Sequence, residues 1–291
     1  MGISGRRLPS ATQALAIARA TRNSLLAHGD QPPPEVLSGH QRGDARAGRT
    51  PPLDRPHLAV VPLVNAGNPY SDGALSGIAL VLPADCADRD RAAVEDAIRS
   101  WYAAGFELLL PARPGGQPVR LMLEDLGIDR AARQPGWLES ALTARRKTTT
   151  RDYWCRPARR WLSVTPIALD RFPGNLRNRN QDARDRAEAE AVASVARACV
   201  FAGLADVPEH VQVSIGLGPP LTGIPASPGG RQTRGWQQYP GYHTGGGTPR
   251  ACVHAEIEFA EPVEGPVLVG AGRYFGYGLC LPRPASDRRP S

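Results

Sequence analysis

The sequence predicts an α+β fold with two similar halves, each a set of β-strands backed by helices. The first observation is that three long stretches, residues 11–28, 89–104 and 182–203, carry apolar residues at helical spacing. The second is that shorter apolar or alternating runs, typical of strands, lie between and after these stretches. The third is that 291 residues with 41% hydrophobic content can fill the cores of two ordinary domains.

The first half begins with a helix at residues 11–28, which Ser10 or Thr12 is expected to cap. Arg22 interrupts the apolar stripe of this helix. Residues 30–56 are rich in Gly, Pro and Arg, which predicts a loop. The remaining elements of this half are apolar runs and one more helical stretch. We expect strands at 57–64, 75–82, 106–110 and 119–123 and a helix at 89–104.

The second half repeats this pattern after a connection with a short predicted helix at 135–142. Its clearest element is the helix at 182–203, which starts with acidic residues that favour the positive end of the helix dipole. A long Gly-, Pro- and Thr-rich loop is expected at 218–249, and loops of that length are usually functional or mobile. We expect strands at 160–169, 211–217 and 251–259 and a terminal glycine-rich hairpin.

The order helix, strand, strand, helix, strand needs only one strand before residue 10 to become βαββαβ. That order is the ferredoxin-like (RRM-like) arrangement, and the second half is similar to it. The sequence therefore predicts two tandem ferredoxin-like domains with a C-terminal glycine-rich loop. We expect the first domain at 1–130, a basic linker at 131–158, the second domain at 159–282 and a disordered tail at 283–291.

Composition excludes several classes of protein. No apolar run is long enough to span a bilayer, and no charged-then-apolar leader opens the chain. The five cysteines are odd in number and form no C-x-x-C pair, which argues against a disulfide framework or a structural zinc site. These features fit a reducing cytoplasm. We expect no metal site and no cofactor.

The excess positive charge is confined to one stretch, residues 145–186, which we call the basic segment. It holds 12 basic and 4 acidic residues, a net charge of +8, whereas the rest of the chain has a net charge of −1. Aromatic residues are interleaved with these cations, as single-stranded nucleic acid requires. The alternative is a solvated basic face. The candidate RNA contacts in the segment are Arg145, Arg146, Lys147, Arg159, Arg160 and Trp161.

Residues 265–282, the glycine-rich loop, form the other candidate binding element. Four glycines, Gly270, Gly272, Gly276 and Gly278, surround the tip residues Arg273 and Tyr274. Glycine lets the backbone approach a ligand closely, and Arg273 adds positive charge. A dinucleotide fingerprint is excluded because the spacing is G-x-G-x-x-x-G and no helix is expected to follow. Two interpretations remain, a loop that grips a nucleic-acid backbone and a glycine-rich hairpin without a ligand.

Three strings resemble a known family. They are Leu-Ser-Gly-His at 37–40, Arg-Pro-His-Leu-Ala-Val-Val-Pro-Leu at 55–63 with Ser-Asp-Gly at 71–73, and the stretch 249–279. Together with the expected domains they are similar to the repeat-associated (RAMP) RNA-binding proteins of CRISPR systems. The closer resemblance is to Cas-six-type endoribonucleases, as the C-terminal half of the fused Cas-five/Cas-six subunit of type I-U (I-G) systems. At Asn68-Pro69 this chain lacks a histidine that we associate with that loop in the family.

This resemblance implies metal-independent cleavage of CRISPR repeat RNA, in which the 2′-hydroxyl attacks the adjacent phosphate. The products carry a 2′,3′-cyclic phosphate and a 5′-hydroxyl. Histidine suits both proton transfers, and arginine stabilises the charge on the phosphate. We predict His40 and His57 as the catalytic pair. His40 lies in the loop at 30–56, and His57 begins the strand that follows this loop. His254 lies in an H-x-E string, but no P-C-x-x-C follows and we expect it to be structural.

The expected partners are CRISPR repeat RNA or mature crRNA and other subunits of a CRISPR effector complex, with no membrane contact. The alternative function is a non-catalytic crRNA-binding scaffold subunit, which would keep the basic segment and the glycine-rich loop without needing His40 or His57. A third hypothesis is a basic two-domain protein with an unrelated ligand. No Walker, H-E-x-x-H or G-x-S-x-G motif supports another enzyme class.

Overall fold

A computed structural model of the chain describes most of its residues. These are 2–4, 8–41, 51–110, 119–124, 147–204, 207–214, 221, 223–225, 239–243 and 249–283. Helices and strands are mixed, which confirms the predicted α+β class. In this described part, no helix combines the length and the apolar character needed to cross a bilayer.

The first sheet has five antiparallel strands in the order β2-β3-β1-β5-β4. β1, which pairs with both β3 and β5, lies where the sequence required a strand before residue 10. The strands are β1 (Gly2–Ser4), β2 (Ala59–Val64), β3 (Leu75–Val81), β4 (Glu107–Leu110) and β5 (Val119–Glu124). The helices of this half are α1 (Ala14–His28), α2 (Glu35–Ser38) and α3 (Asp88–Ala103).

Helix α1 follows a capped 3-10 turn at Ala11–Gln13. The hydroxyl of Ser10 accepts from the backbone N–H of Thr12, and Gln13 closes a capping box on the backbone of Ser10. This arrangement confirms one of the two predicted caps. The buried face of α1 includes the side chain of Arg22, so the residue that interrupts the apolar stripe still points into the protein.

The second sheet is built around the long strand β9 (Cys252–Val263). Two consecutive strands pair with successive parts of β9, namely β6 (Ala158–Ser163) and β7 (Ile167–Ala168). A third strand, β8 (His210–Ser214), also pairs with β9. The last strand, β10 (Cys280–Arg283), pairs with β6. Helix α5 (Gln181–Phe201) covers this sheet. The single strand predicted at 160–169 is instead two pieces, because Pro166 lies in the break and has no N–H to donate to a ladder.

The end of the predicted basic linker is folded. A 3-10 turn at Lys147–Thr149 leads into the short helix α4 (Arg151–Cys155). Trp154 is fully buried and donates from its indole to the carbonyl oxygen of Thr148 at 2.7 Å, while the Tyr153 hydroxyl donates to the carbonyl oxygen of Ala66. The helix predicted at 135–142 lies outside the described residues.

The two halves share a hydrophobic core. One buried cluster contains residues of α1 and β2 together with Leu162, Tyr277 and Leu279 from the second half. The glycine-rich loop makes this connection, because Phe275 forms a bridge with Val60 of β2 and Leu268 pairs with Leu279 inside the loop. The loop therefore lies between the two sheets and carries its tip to the start of β2.

Candidate functional site

Four basic residues from distant parts of the chain meet where the glycine-rich loop reaches β2. α1 supplies Arg22, the turn after α2 supplies His40, the approach to β2 supplies His57 and the loop tip supplies Arg273. We call these four residues the cationic cluster. Its members interact electrostatically, since Arg22, Arg273 and His40 all act on the imidazole of His57. The two predicted catalytic histidines and the loop arginine thus come together, and Arg22 joins them.

The loop tip covers His57. The ring of Tyr274 stacks on the imidazole of His57, with 3.6 Å between centroids and 26° between planes. The guanidinium of Arg273 lies over the ring of Tyr274, 4.5 Å from its centroid, and donates to the Tyr274 hydroxyl at 3.1 Å. Tyr274 thus contacts both His57 and Arg273, and the charge of Arg273 acts on the imidazole.

Arg22 is 6% exposed and lies beneath the loop. Its Nη2 donates to the carbonyl oxygen of Ser38, and its guanidinium lies 5.0 Å from the centre of the Phe275 ring. Its Nη1 is buried without a hydrogen-bond partner, and no carboxylate of the described residues pairs with it. A buried, unsatisfied guanidinium N–H is costly, and it is the kind of donor that an anionic ligand would satisfy.

The carbonyl oxygen of Ser38 connects Arg22 to His40. Nδ1 of His40 lies 2.9 Å from this oxygen, which also accepts from Arg22. The next residue, Gly39, has φ +65, and a Cβ there would lie 2.8 Å from Nε2 of His57. The turn can therefore approach both the guanidinium of Arg22 and the imidazole of His57 only because glycine occupies this position. His40 itself is exposed, in contrast to His57.

Burial lowers the pKa of His57 to about 4, and the charges of Arg22, Arg273 and His40 contribute to this lowering, while a hydrogen bond to the carbonyl of Arg55 opposes it. The imidazole is therefore neutral at neutral pH. In the tautomer that donates from Nδ1 to the carbonyl oxygen of Arg55 at 3.4 Å, Nε2 is left as an acceptor. A neutral histidine with a free Nε2 can accept a proton there.

The lowered pKa of His57 predicts an acid-sensitive fold. The unfolded chain has an ordinary histidine pKa near 6.5, so it binds more protons than the folded chain between pH 6.5 and 4, and stability falls as the pH falls. We expect the free energy of unfolding to drop by about 2 kcal/mol between pH 7 and 5 through His57. Urea unfolding of His57→Gln should show a shallower pH dependence than the parent. An unchanged slope would contradict the assigned pKa.

The glycines hold the loop against its neighbours. Gly270, Gly276 and Gly278 have positive φ, and Gly272 is tightly packed against Tyr277. At Gly276 φ is +78, and a Cβ would lie 2.6 Å from Cδ of Pro62 in β2. These glycines therefore serve at least to dock the loop tip beside His57.

Replacing Gly276 by alanine should destabilise the fold by about 1–3 kcal/mol, because left-handed strain is added to a clash with Pro62. Gly203→Ala is the matched control, since Gly203 has φ +76 and a Cβ there would have no neighbour within 4 Å. Urea midpoints of both variants measure the difference. Equal losses would show that the docking contact contributes nothing beyond backbone strain.

The basic segment is less uniform than its sequence indicates. Arg160 donates from Nε to Glu256 at 2.9 Å, and Arg159 pairs with Glu261 at 3.4 Å, so acidic residues of β9 neutralise both. Trp161 is completely buried and donates to the carbonyl oxygen of Ala158, so its ring offers no face to a base and we leave it out of the RNA contacts. Arg145, Arg146 and the side chain of Lys147 lie outside the described part.

Three exposed cations of the segment lie between β7 and α5. Phe172 is 77% exposed there. Asn175 and Asn178 accept backbone N–H groups two residues ahead, which shapes the turns. The exposed arginines of this stretch, none of them ion-paired with the described residues, are Arg171, Arg177 and Arg179. The stretch adjoins the glycine-rich loop, because the N–H of Ala271 donates to the carbonyl oxygen of Ala168.

The remaining histidines have other surroundings. His254 is fully buried between Ser163 and the carbonyl oxygen of Pro225, which fits the structural role expected for it. Within the described ranges, no group of three histidine, cysteine or acidic side chains is arranged to hold a metal ion.

Arg22 is the functional candidate that the sequence interpretation missed, although its interruption of the apolar stripe was a visible signal.

Comparison with known proteins gives one result. The family model described as "CRISPR-associated protein, GSU0054 family" matches residues 6–282, nearly the whole chain. No curated protein and no solved structure matches the chain.

Proposed function

The chain belongs to the GSU0054 family of CRISPR-associated proteins, and from this premise we propose that it binds CRISPR repeat RNA and cleaves it without a metal ion. The observation that carries the proposal is the cationic cluster, in which two histidines with different surroundings lie beside two arginines that have no carboxylate partner in the described chain. Such a set has the groups that phosphodiester transesterification needs.

The surroundings of the histidines divide their roles. His57, held neutral by burial, accepts the proton of the 2′-hydroxyl at Nε2 as that oxygen attacks the phosphorus. The bond from phosphorus to the 5′-oxygen breaks, and His40, which is exposed and contacts the carbonyl oxygen of Ser38 through Nδ1, donates a proton to the departing oxygen. The products are a 2′,3′-cyclic phosphate and a 5′-hydroxyl, with no change in oxidation state.

The arginines stabilise the charge that develops on the phosphate. Arg273 lies at the accessible loop tip, whereas Arg22 lies beneath it with one unsatisfied N–H. A phosphate oxygen bound between them would satisfy that donor. Tyr274 lies over His57, so RNA entry requires the Tyr274 ring to move off the imidazole and stack elsewhere, for which a nucleobase is a suitable partner.

The strand orders support the predicted domain type. The first sheet contains the order β5-β1-β3-β2 with β4 added at the edge, and the second contains β10-β6-β9 with β8 on the far side of β9. We propose that both are ferredoxin-like units, at 1–130 and 159–282, and that in the second the glycine-rich loop replaces the second helix. Both sheets would then position the RNA near the loop between them.

We propose that the exposed stretch between β7 and α5 extends the RNA contact beyond the cationic cluster. Phe172→Ala should weaken binding of repeat RNA by about 1–3 kcal/mol, because the exposed ring stacks on a base. Arg171→Ala should reduce the slope of log affinity against log salt by about one unit. Tyr70→Ala, which removes an 87% exposed ring elsewhere, is the control for titrations by fluorescence anisotropy. Equal affinities for Phe172→Ala and the control would contradict this path.

A non-catalytic crRNA-binding scaffold is the second candidate. It is favoured by the burial of His57, which is 9% exposed and covered by Tyr274. A scaffold would retain the RNA contacts of the loop without moving this cover.

Incubation of the full chain with end-labelled CRISPR repeat RNA in excess EDTA distinguishes the two candidates. Cleavage at a defined position supports the endoribonuclease. Binding at nanomolar to micromolar protein without any cleavage favours the scaffold. Absence of specific binding to repeat RNA, relative to a shuffled sequence, would contradict both.

A further inference from the structure

A cleft opens between the two halves beside the cationic cluster. Its volume is about 360 Å³, and it is bounded by the approach to β2, the end of β3, the end of α5 and the first part of the glycine-rich loop. His57, Arg273 and Tyr274 line it where it meets the cluster, and Asp85 also lines it. Apolar side chains form much of the remaining wall, among them Pro56, Pro83, Leu204, Pro266 and Leu268.

We propose that this cleft receives one unpaired nucleobase of the bound RNA, next to the phosphate held by the cationic cluster. This inference rests on the proposed function. The volume lies at the lower end of the range of about 300–1,000 Å³ for small-ligand sites, which suits a single nucleotide. Proline and leucine walls favour the apolar faces of a planar base over a bare phosphate, which water and cations would solvate better.

The chemistry of cleavage requires an unstacked base, which the cleft can cover. The 2′-oxygen can attack in line with the departing 5′-oxygen only if the backbone leaves its helical path, which unstacks a neighbouring base. An unstacked base exposes both faces to water unless the protein covers them. The cleft begins at His57, the residue that accepts the 2′-hydroxyl proton, and so it adjoins the ribose whose base is displaced.

Asp85 gives the cleft a preference among bases. Its side chain is exposed and forms no ion pair with the described residues. A carboxylate accepts hydrogen bonds and donates none, so it favours a base edge that presents N–H groups. Guanine presents two neighbouring donors, N1–H and the 2-amino group, which match the two carboxylate oxygens, whereas uracil presents only N3–H. We therefore expect the cleft to take guanine in preference to uracil.

Mononucleotide titration tests this site without requiring cleavage. Guanosine 3′-monophosphate, uridine 3′-monophosphate and inorganic phosphate are titrated into the full chain and followed by calorimetry. We expect the guanosine nucleotide to bind at least about fivefold more tightly than the uridine nucleotide, and both more tightly than phosphate. Asp85→Asn should abolish the preference while retaining phosphate binding.

A blocking variant places the ligand in the cleft. Ala84 lines it with an exposed side chain, so Ala84→Trp should fill the cleft and reduce nucleotide binding to the level of phosphate. Ala104→Trp, at an exposed position after α3 that does not line the cleft, should bind like the parent. Equal binding of the two nucleotides by the parent, or unchanged binding by Ala84→Trp, overturns the proposal.

The outcomes separate this inference from the proposed function. If repeat RNA is cleaved but the nucleotides bind no better than phosphate, the base site is wrong and the endoribonuclease stands. If the nucleotides bind with the expected preference but RNA remains intact, the base site stands and the catalytic assignment fails. The Asp85→Asn variant changes no core residue, so the test remains decisive if Ala84→Trp does not fold.

Discussion

Replacing both His40 and His57 by alanine should abolish cleavage of CRISPR repeat RNA while leaving RNA binding near that of the parent. General acid and base groups each contribute about 10²–10⁴-fold to rate, and this variant removes both. Affinity should persist because the arginines of the cluster and the exposed aromatic Phe172 remain. Single-turnover cleavage and anisotropy titrations in the same buffer measure the two quantities.

His210→Ala is the control for the histidine pair, since His210 is an exposed histidine on β8. This control should cleave at the parental rate. Parental cleavage by the His40→Ala, His57→Ala variant would show that the proton transfers take place elsewhere. Attention would then move to His28 at the end of α1, to His243 and to Lys147 of the basic segment.

Arg22→Gln should reduce the cleavage rate by about 10²–10³-fold, the usual cost of removing one donor that stabilises transition-state charge. The substitution should also raise the pKa of His57, because burial and the neighbouring Arg22 charge both hold that pKa low and the Arg22 charge is then lost. An NMR titration of the free protein measures the pKa of His57 as a second readout. If Arg22 had only a structural role, its replacement would not raise this pKa.

Arg19→Gln is the matched control for Arg22, because Arg19 lies one turn earlier on α1 with an exposed side chain. It should leave both the rate and the His57 titration unchanged. Urea midpoints check that Arg22→Gln remains folded at the assay temperature. A folded Arg22→Gln variant that cleaves at the parental rate would remove Arg22 from the proposed site.

Local sequence patterns predicted most elements because helical spacing and apolar runs are encoded over short distances. The helix at 11–28 and the strands at 57–64 and 75–82 appear close to their expected bounds. The strand predicted at 160–169 is longer than either observed strand, because Pro166 interrupts the ladder. Helix α2 was missed because four residues are too few to show a period.

The site was only partly predictable because it depends on contacts across the chain. Glycines at 270–278 indicated a close backbone approach, but not that the loop would cover His57, which lies far earlier in the sequence. The pairing of β6 with β9 places Glu256 beside Arg160, which local charge counting cannot show. The buried Arg22 is the clearest missed signal, since a charge in an apolar stripe requires a partner or a function.

If the cationic cluster directs the 2′-hydroxyl of RNA against the neighbouring phosphate, cleavage must depend on that hydroxyl. The most direct test maps the break in repeat RNA and then replaces the single nucleotide on its 5′ side by its 2′-deoxy form, with cleavage followed in EDTA. We predict that the parent RNA yields a 2′,3′-cyclic phosphate and a 5′-hydroxyl, and that the 2′-deoxy RNA binds equally well but stays intact. Cleavage of the 2′-deoxy RNA at the same position would contradict this mechanism.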